Sequence, residues 1–436
     1  MTNNASHKEQ IFLSKSGDAY QKLSPEIADK IVTMGKRRLK KSRLYEFSDK
    51  SSGKSASDRI VSLERIELRS VVGKGSFSIV YDIASIDRKQ TKEPLVLKSL
   101  RAKHLAKPQS LGGCAADLVK EGMFLSKLNH NNILKCRAWT SNGIDAYEAG
   151  THFAFSLVLE RVDTTLYSEL KRWREAQYQR ENLNVFEKLF RRFSKPQQEQ
   201  ELERQQSNLT QRCQLVSDLV NGLEHLHSRG VLHRDIKPDN LGLAFDGVLK
   251  IFDFDVSRII PNQDSEDELF LMTRRVGSPR YMAPEVALAQ RYNAKADVHS
   301  FGLVVYEILS LHKPFADLPR KEHDKVVFQQ HVRPTVPVHW PQVWKDFLSE
   351  CWCPKILVRP TMKRAKAKLL DELLPLFLKQ QEQSLHQSSN LQKAESHLKT
   401  KTTTTNVSPT KSITASSTNT SSIDGTESMP FSIAVF

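Results

Sequence analysis

Eight residues in the middle of the chain, His233-Arg-Asp-Ile-Lys-Pro-Asp-Asn240, restrict its fold more than any other feature of the sequence. They place an acid, a lysine and an amide close together, and Pro238 limits the backbone of the stretch. They directly follow the segment Leu209–Leu226, whose apolar residues repeat with helical spacing. The pattern predicts a polar loop directly after a helix, fixed by its proline, which suits a site of chemistry.

A second polar feature lies further on, in the segment VLKIFDFDVS, where Asp253 and Asp255 are two residues apart. In an extended chain the two carboxylates would share one face, with Phe252 and Phe254 on the other. The spacing is compatible with a pair of metal ligands, with one ligand and one neighbour, and with the solvent-facing side of an edge strand. Periodicity alone favours the solvent-facing strand, and the rest of the chain has to decide between the three.

The order of strand and helix signals predicts an α+β protein. Residues Leu68–Ile86 read as a hairpin with a glycine-bearing turn, and Pro94–Ser99 and Phe153–Leu159 read as short apolar strands. Between these strands Ala116–Leu128 has helical spacing, and helical patterns dominate after residue 164. A small lobe of strands with one helix and a larger, mainly helical lobe should enclose a cleft.

Composition gives the expected domain boundaries. The folded domain should span 65–380, with a small lobe at about 65–160 and a large lobe at about 163–380. Residues 1–64 are polar and basic, and we expect a flexible extension there. Residues 381–436 are rich in Gln, Ser and Thr and cannot bury enough apolar surface to fold, so we expect a disordered tail.

A charged insert, 171–206, stands apart from the helical pattern around it. Within it Phe186, Leu189, Phe190 and Phe193 share a helical face beside several basic residues. This face could bind an acidic partner or a membrane surface, or it could pack on the lobe that carries it. The sequence leaves both interpretations open, and the tails are further candidates for partner docking.

Charge and cysteine content exclude several classes of protein. The 65 Lys and Arg exceed the 50 Asp and Glu, but they are spread along the chain without a nucleic-acid-binding motif, so we expect no nucleic-acid partner. Five irregularly spaced cysteines do not suit a disulfide framework, and neither a signal peptide nor a transmembrane segment is visible. We expect a cytoplasmic protein, with the basic run Lys36–Arg43 as a candidate nuclear localisation signal.

Taken together, the motifs resemble the eukaryotic protein kinase family over about 65–375. The similarity rests on their order and spacing. The motifs are Gly73–Val80, the pair Lys98 and Glu121, His233–Asn240, Asp253, Gly277–Glu285 and Ala296–Gly302. The resemblance implies the bilobal kinase fold and phosphoryl transfer from ATP with Mg²⁺.

The family's catalytic roles pass to matching positions in this sequence. Asp235 matches the base that accepts the proton of the substrate hydroxyl, and Lys237 the lysine that neutralises the moving phosphoryl group. Asn240 and Asp253 match the two magnesium ligands, and hard oxygen ligands suit that ion. The positions implied for ATP binding are Gly73, Lys74, Gly75, Ser76, Val80, Lys98, Glu121, Glu160 and Val162.

Further matches concern the scaffold and the choice of substrate. Glu285 and Arg359 resemble the buried ion pair of the large lobe, and Asp297 the residue that holds the catalytic loop from beneath. Lys237 together with Ser278 resembles the serine/threonine kinases, and Cys351-Trp352 ahead of Arg359 resembles the tyrosine-kinase-like branch. The implied activity is a protein serine/threonine kinase that acts on a Ser or Thr hydroxyl in signalling.

Three positions depart from the family pattern. Ser78 replaces the third glycine of the lid over ATP, Gly242 stands where a large apolar residue usually lies under the adenine, and Asp255 replaces the glycine after Asp-Phe. The competing interpretation is a pseudokinase that acts as a scaffold. Such proteins usually lose the strand lysine, the base or the metal-binding aspartate, and all three are present here.

Overall fold

The fold is described from a computed structural model, which covers residues 24–41, 59–101, 108–141, 143–149, 153–182, 195–260, 265–379 and 383. All five cysteines, each in the described part of the chain, are free thiols. Among the described residues no helix is long and apolar enough to span a bilayer.

The small lobe is built on a five-stranded antiparallel sheet in the order β1-β2-β3-β5-β4. Its strands are β1 Ile66–Lys74, β2 Ser78–Ile86, β3 Leu95–Leu100, β4 Cys136–Trp139 and β5 Leu157–Glu160. Helix α2, Pro108–Lys127, lies between β3 and β4 in the chain and packs on the sheet. The lobe of strands with a helix, predicted from the sequence, is confirmed.

The large lobe is mainly helical, with one three-stranded and one two-stranded sheet of short strands. Its helices are α3 Leu166–Glu181, α4 Lys195–His227, α5 Pro284–Ala287, α6 Lys295–Ser310, α7 Arg320–His323, α8 Gln342–Cys351 and α9 Met362–Lys368. Its strands are β6 Thr164–Thr165, β7 Val231–Leu232, β8 Leu241–Leu243, β9 Leu249–Ile251 and β10 Arg258–Ile259. Helices α4 and α6 cross the centre of the lobe, and the α+β prediction holds.

One part of the expected flexible extension is a packed helix. Helix α1, Pro25–Lys41, has 17 residues and packs against α2 and the 3₁₀ helix Gly143–Ala149. Its buried face carries Ala28, Ile31, Val32, Gly35 and Leu39 within a polar, basic segment. The sequence did not predict this helix, because a short apolar face is a weak signal in a polar segment. The flexibility expected for residues 1–64 stays a prediction.

The charged insert divides into two described helical parts. Helix α3 ends at Glu181 and helix α4 begins at Lys195, so both core helices extend into the segment 171–206. The aromatic face predicted at Phe186–Phe193 lies outside the described residues, as do the tail after residue 383 and residues 1–23. The two interpretations of that face therefore stay predictions.

Candidate active site

The strand lysine of the small lobe joins two acids from different elements. Lys98 lies on β3, opposite Val80 of β2 and Leu157 of β5. Its Nζ lies 2.6 Å from Glu121 Oε2 on α2 and 3.2 Å from Asp253 Oδ1, just after β9. The structure thus brings together three residues that the sequence places far apart.

Burial and charge act in opposite directions on this cluster. Burial alone would lower the pKa of the Lys98 ammonium, but the charges of Glu121 and Asp253 outweigh it and raise that pKa above its usual value. Burial alone would raise the pKa of Asp253, but the charge of Lys98 and its hydrogen bond lower it. At neutral pH the ammonium and the Asp253 carboxylate are both ionised, as binding of phosphate and a metal cation requires.

The two aspartates of the Phe-Asp-Phe-Asp segment, Asp253 and Asp255, differ in backbone conformation and in surroundings. Asp253 has φ of 69°, in the left-handed region that Asp tolerates better than most residues. Asp255 is not among the described residues with positive φ, so the strain that its replacement of glycine could cause is absent here. Burial, followed by the charges of Asp253 and Glu121, raises the pKa of Asp255 to about 7.

The phenylalanine between them joins the two lobes. Phe254 is fully buried, with its ring centroid 5.8 Å from that of Phe124 on α2 and 5.0 Å from the ring of His233. His233 Nε2 lies 3.0 Å from the carbonyl oxygen of Phe252. These contacts fix the segment that carries Asp253 to both α2 and the loop of residues 233–240.

That loop converges on the carboxylate of Asp235. Its Oδ2 accepts hydrogen bonds from Lys237 Nζ at 2.7 Å and Asn240 Nδ2 at 2.9 Å, and its Oδ1 accepts one from the Ser278 backbone N–H at 2.7 Å. Lys237 Nζ also donates to Ser278 Oγ at 2.8 Å. The acid, the lysine and the amide named from the sequence therefore form one cluster, and Ser278 belongs to it.

Two features hold the loop in this shape. Asp297, at the start of α6, accepts the backbone N–H groups of His233 at 2.9 Å and Arg234 at 2.8 Å, as the resemblance implies. Gly277 has φ of +95°, and a Cβ there would lie 2.3 Å from the carbonyl oxygen of Arg234. Only glycine allows this approach, which brings Ser278 to Asp235.

The residues predicted to bind ATP lie in the small lobe and in the segment that connects it to the large lobe. Gly73 and Lys74 end β1, opposite Val80 and Ile79 of β2, and the turn closes with a bond from Gly75 N–H to the Ser78 carbonyl oxygen at 2.9 Å. Ser76 lies in the same exposed turn. Glu160 ends β5, where its Oε1 accepts the Lys135 backbone N–H at 2.9 Å, and Val162 follows it.

Gly242 departs from the kinase pattern for a visible steric reason. A Cβ at Gly242 would lie 2.6 Å from Val162 Cγ1 and 3.1 Å from the ring carbon Cε1 of Phe252. Gly242 on β8 pairs with Lys250 on β9, two residues before Phe252. The space that a larger residue would fill is thus taken by Val162 and Phe252, a contact that sequence analysis missed because it depends on the register of β8 and β9.

The residues present fit a hard divalent cation. Asp253 is an ionised carboxylate, and Asn240 turns its amide nitrogen toward Asp235, which leaves its oxygen as the ligand atom. The Phe252 backbone N–H donates to the Asn240 carbonyl oxygen at 3.1 Å, so the two ligand candidates lie on adjacent backbone segments. Oxygen donors of this kind suit Mg²⁺ bound together with phosphate and water.

The model of the protein kinase domain family matches residues 66–370, well over half of the chain. The chain belongs to the protein kinase domain family.

Among its relatives is a protein named "Probable serine/threonine-protein kinase" from Dictyostelium discoideum, 33% identical over 174 residues, which are 40% of this chain and 12% of that protein. The dual specificity protein kinase shkB of the same organism is 34% identical over 163 residues, 37% of this chain and 24% of that protein. A LIM domain-containing relative, also named a probable serine/threonine-protein kinase, is 34% identical over 149 residues, 34% of this chain and 22% of that protein. The matches span less than a quarter of the length of these three relatives.

One set of residues near this kinase site was not found from the sequence. Lys120, which precedes Glu121 on α2, donates a hydrogen bond to the backbone carbonyl of Asp255 and lies 3.2 Å from Asp117. Asp117 in turn pairs with Arg38 of α1. The i,i+3 spacing of Asp117 and Lys120 is a weak sequence signal for an ion pair. The contact of Asp117 with Arg38 depends on the packing of α1 on α2 and has no local sequence signal.

Proposed function

We propose that this protein is a serine/threonine kinase that transfers the γ-phosphoryl group of Mg-ATP to a hydroxyl of a protein substrate. The observation that carries the proposal is the position of Lys98 between Glu121 and Asp253, with the Asp235 cluster assembled in the same structure. Phosphoryl transfer depends on positioning and on compensation of negative charge more than on covalent chemistry. This arrangement supplies both.

The roles follow from the chemistry of each group. The substrate oxygen attacks the γ-phosphorus, its proton passes to the Asp235 carboxylate, and the bond from the γ-phosphorus to the bridging oxygen breaks to release ADP. Lys237, 2.7 Å from Asp235, places a positive charge beside the transferred group, and Lys98 does so for the phosphates that remain on ADP. Mg²⁺ held by Asn240 and Asp253 would draw charge from the phosphate oxygens.

The test is phosphorylation of a generic basic protein by the full chain with γ-labelled ATP, followed by phosphoamino-acid analysis. We expect phosphoserine and phosphothreonine, because Lys237 and Ser278 resemble the serine/threonine kinases. Phosphotyrosine as the sole product would contradict this choice of acceptor. A protein that binds ATP but transfers no phosphate would favour the scaffold interpretation.

We also propose that regions outside the catalytic cluster select partners, through the insert 171–206 or the tails. Partner capture that is unchanged after deletion of residues 1–23, 183–194 and 384–436 would contradict this. The deletion leaves α3 and α4 intact, since residues 183–194 lie between them.

A cytoplasmic location, with Lys36–Arg43 as a nuclear signal, stays a prediction that a fluorescent fusion can test. In the structure Lys36 pairs with Asp145 and Arg38 with Asp117, so an import receptor would have to compete with these pairs. If Lys40→Ala with Arg43→Ala leaves the distribution of the fusion unchanged, the run is not a nuclear signal.

A further inference from the structure

Helix α1 meets α2 at a place where α2 has no side chains. A Cβ at Gly112 would lie 3.3 Å from both Ile31 Cα and Met34 Cβ of α1, and a Cβ at Gly113 would lie 3.3 Å from Arg38 Nη1. Adjacent glycines weaken an isolated helix, so their presence suits a close helix contact. The α1–α2 contact is therefore built into α2 and is not a chance association of two surfaces.

A chain of polar contacts runs from this interface into the active site. Arg38 Nε and Nη2 bind Asp117 Oδ1 and Oδ2 at 3.0 and 2.6 Å, a bidentate pair. Asp117 Oδ1 lies 3.2 Å from Lys120 Nζ, and Lys120 Nζ donates to the backbone carbonyl oxygen of Asp255. Asp255 is two residues beyond Asp253, the candidate metal ligand.

The Lys120 side chain is only 9% exposed. Burial lowers the pKa of its ammonium, and Asp117 opposes that shift. A buried ammonium is costly unless it is paired, and here its partners are one acid and one active-site carbonyl. The next residue, Glu121, holds Lys98, so a single turn of α2 fixes both the strand lysine and the segment that carries Asp253.

We propose that Lys120 is a positioning residue that holds the Asp253–Asp255 segment in the geometry for metal and phosphate binding, and that α1 orients it through Arg38 and Asp117. The active unit of this protein then begins at α1, about 40 residues before residue 66, where the kinase family model starts its match. The expected change in kcat rests on the proposed function, whereas the expected change in the order of the Asp253–Asp255 segment does not.

The experiment compares Lys120→Met, Arg38→Met and Lys36→Met in the full chain. Lys36 is the matched control, because it forms a second ion pair of α1 among the described residues, with Asp145, and both side chains are 56% exposed. Methionine keeps the apolar stem of each residue while removing its charge. The first readout is amide hydrogen exchange of residues 252–256 without nucleotide, and the second is kcat and KM for ATP and for a protein substrate.

Lys120→Met and Arg38→Met should speed exchange of residues 252–256 and lower kcat by about tenfold, the loss expected for one charge-assisted hydrogen bond. The KM for the protein substrate should stay unchanged, and Lys36→Met should match the wild type in both readouts. Equal exchange in all four proteins would overturn the proposal, and so would equal effects of Arg38→Met and Lys36→Met. Absence of turnover in the wild type would count against the proposed function alone, since the exchange readout needs no catalysis.

Discussion

At the scale of single residues, backbone conformation and charge separate the two aspartates of Phe-Asp-Phe-Asp. Asp253 holds the left-handed φ of 69° and ion-pairs with Lys98, whereas Asp255 keeps an ordinary φ and is half-buried near other acids. Of the three interpretations open from spacing alone, one ligand with one neighbour agrees best with this difference. The interpretation as the solvent-facing side of a strand does not agree with the structure, because the Asp253 carboxylate contacts the Lys98 ammonium.

The first prediction separates the two carboxylates by activity. Asp253→Ala should abolish phosphate transfer, because it removes a metal ligand and a partner of Lys98. Asp255→Gly should keep or raise the rate, since it removes a half-buried carboxylate that lies near other acids. Steady-state kinetics on the purified variants measure this, and equal loss in both would end the proposed division of roles.

The second prediction concerns Gly242 and the ring of Phe252. Gly242→Leu should weaken ATP binding and lower the stability of the fold by about 1–3 kcal/mol, because its side chain has no room beside Val162 and Phe252. Phe252→Ala combined with Gly242→Leu should recover part of the affinity by opening that space. Nucleotide titration and thermal unfolding measure both effects, and a Gly242→Leu protein as stable as the wild type would contradict the packing described here.

At the scale of elements, α2 is the part on which the others depend. It carries Glu121 toward Lys98, packs Phe124 on Phe254, and receives α1 at Gly112. Sequence periodicity predicted helical spacing at Ala116–Leu128, whereas α2 begins at Pro108 and includes the two adjacent glycines. The missing information was the presence of α1, whose close approach leaves little room for a side chain at Gly112.

The third prediction uses those adjacent glycines as a matched pair. Gly113→Ala should stabilise α2, because its Cβ meets only the mobile end of Arg38, while Gly112→Ala meets the backbone of Ile31. Both variants gain the same helix propensity, so the Gly113→Ala protein should be more stable than the Gly112→Ala protein by about 1–3 kcal/mol, the cost of overpacking at the contact with α1. Denaturant unfolding gives the free energies, and the opposite order would argue against close packing at Gly112.

At the scale of the whole molecule, the large lobe is held by a buried ion pair far from the reacting groups. Arg359 binds Glu285 through both guanidinium Nη atoms at 2.6 and 2.8 Å, and these side chains are 0% and 4% exposed. The ion pair thereby connects the segment that follows Gly277 to the C-terminal part of the large lobe. The resemblance implied this pair, and the structure describes it as bidentate and buried.

The fourth prediction follows from the cost of an unpaired buried charge. Arg359→Met should destabilise the protein by about 3–5 kcal/mol, because it leaves Glu285 without its partner. Adding Glu285→Gln should recover part of the loss by removing the orphaned charge. Calorimetric unfolding of the single and double variants tests this, and additive losses would contradict the coupling of the two residues.

How much of the molecule the sequence could predict depends on whether a feature is local. Asp235, Lys237 and Asn240 lie within one loop, so their motif carried them directly to a common site. The docking of α1 and the contact of Gly242 with Phe252 depend on which elements meet and in which register, and no local pattern records that. The residues that the sequence missed, Lys120 above all, act across such contacts.

The central claim is that the assembled cluster transfers phosphate and does not merely bind nucleotide. The most direct measurement follows Mg-ATP turnover and ATP binding in parallel for the wild type and for Asp235→Asn, which preserves the shape of the side chain. We predict that both proteins bind ATP, and that the variant turns it over at least about a hundredfold more slowly, the usual contribution of a general base. Equal turnover in both, or none in either while ATP still binds, would contradict the claim.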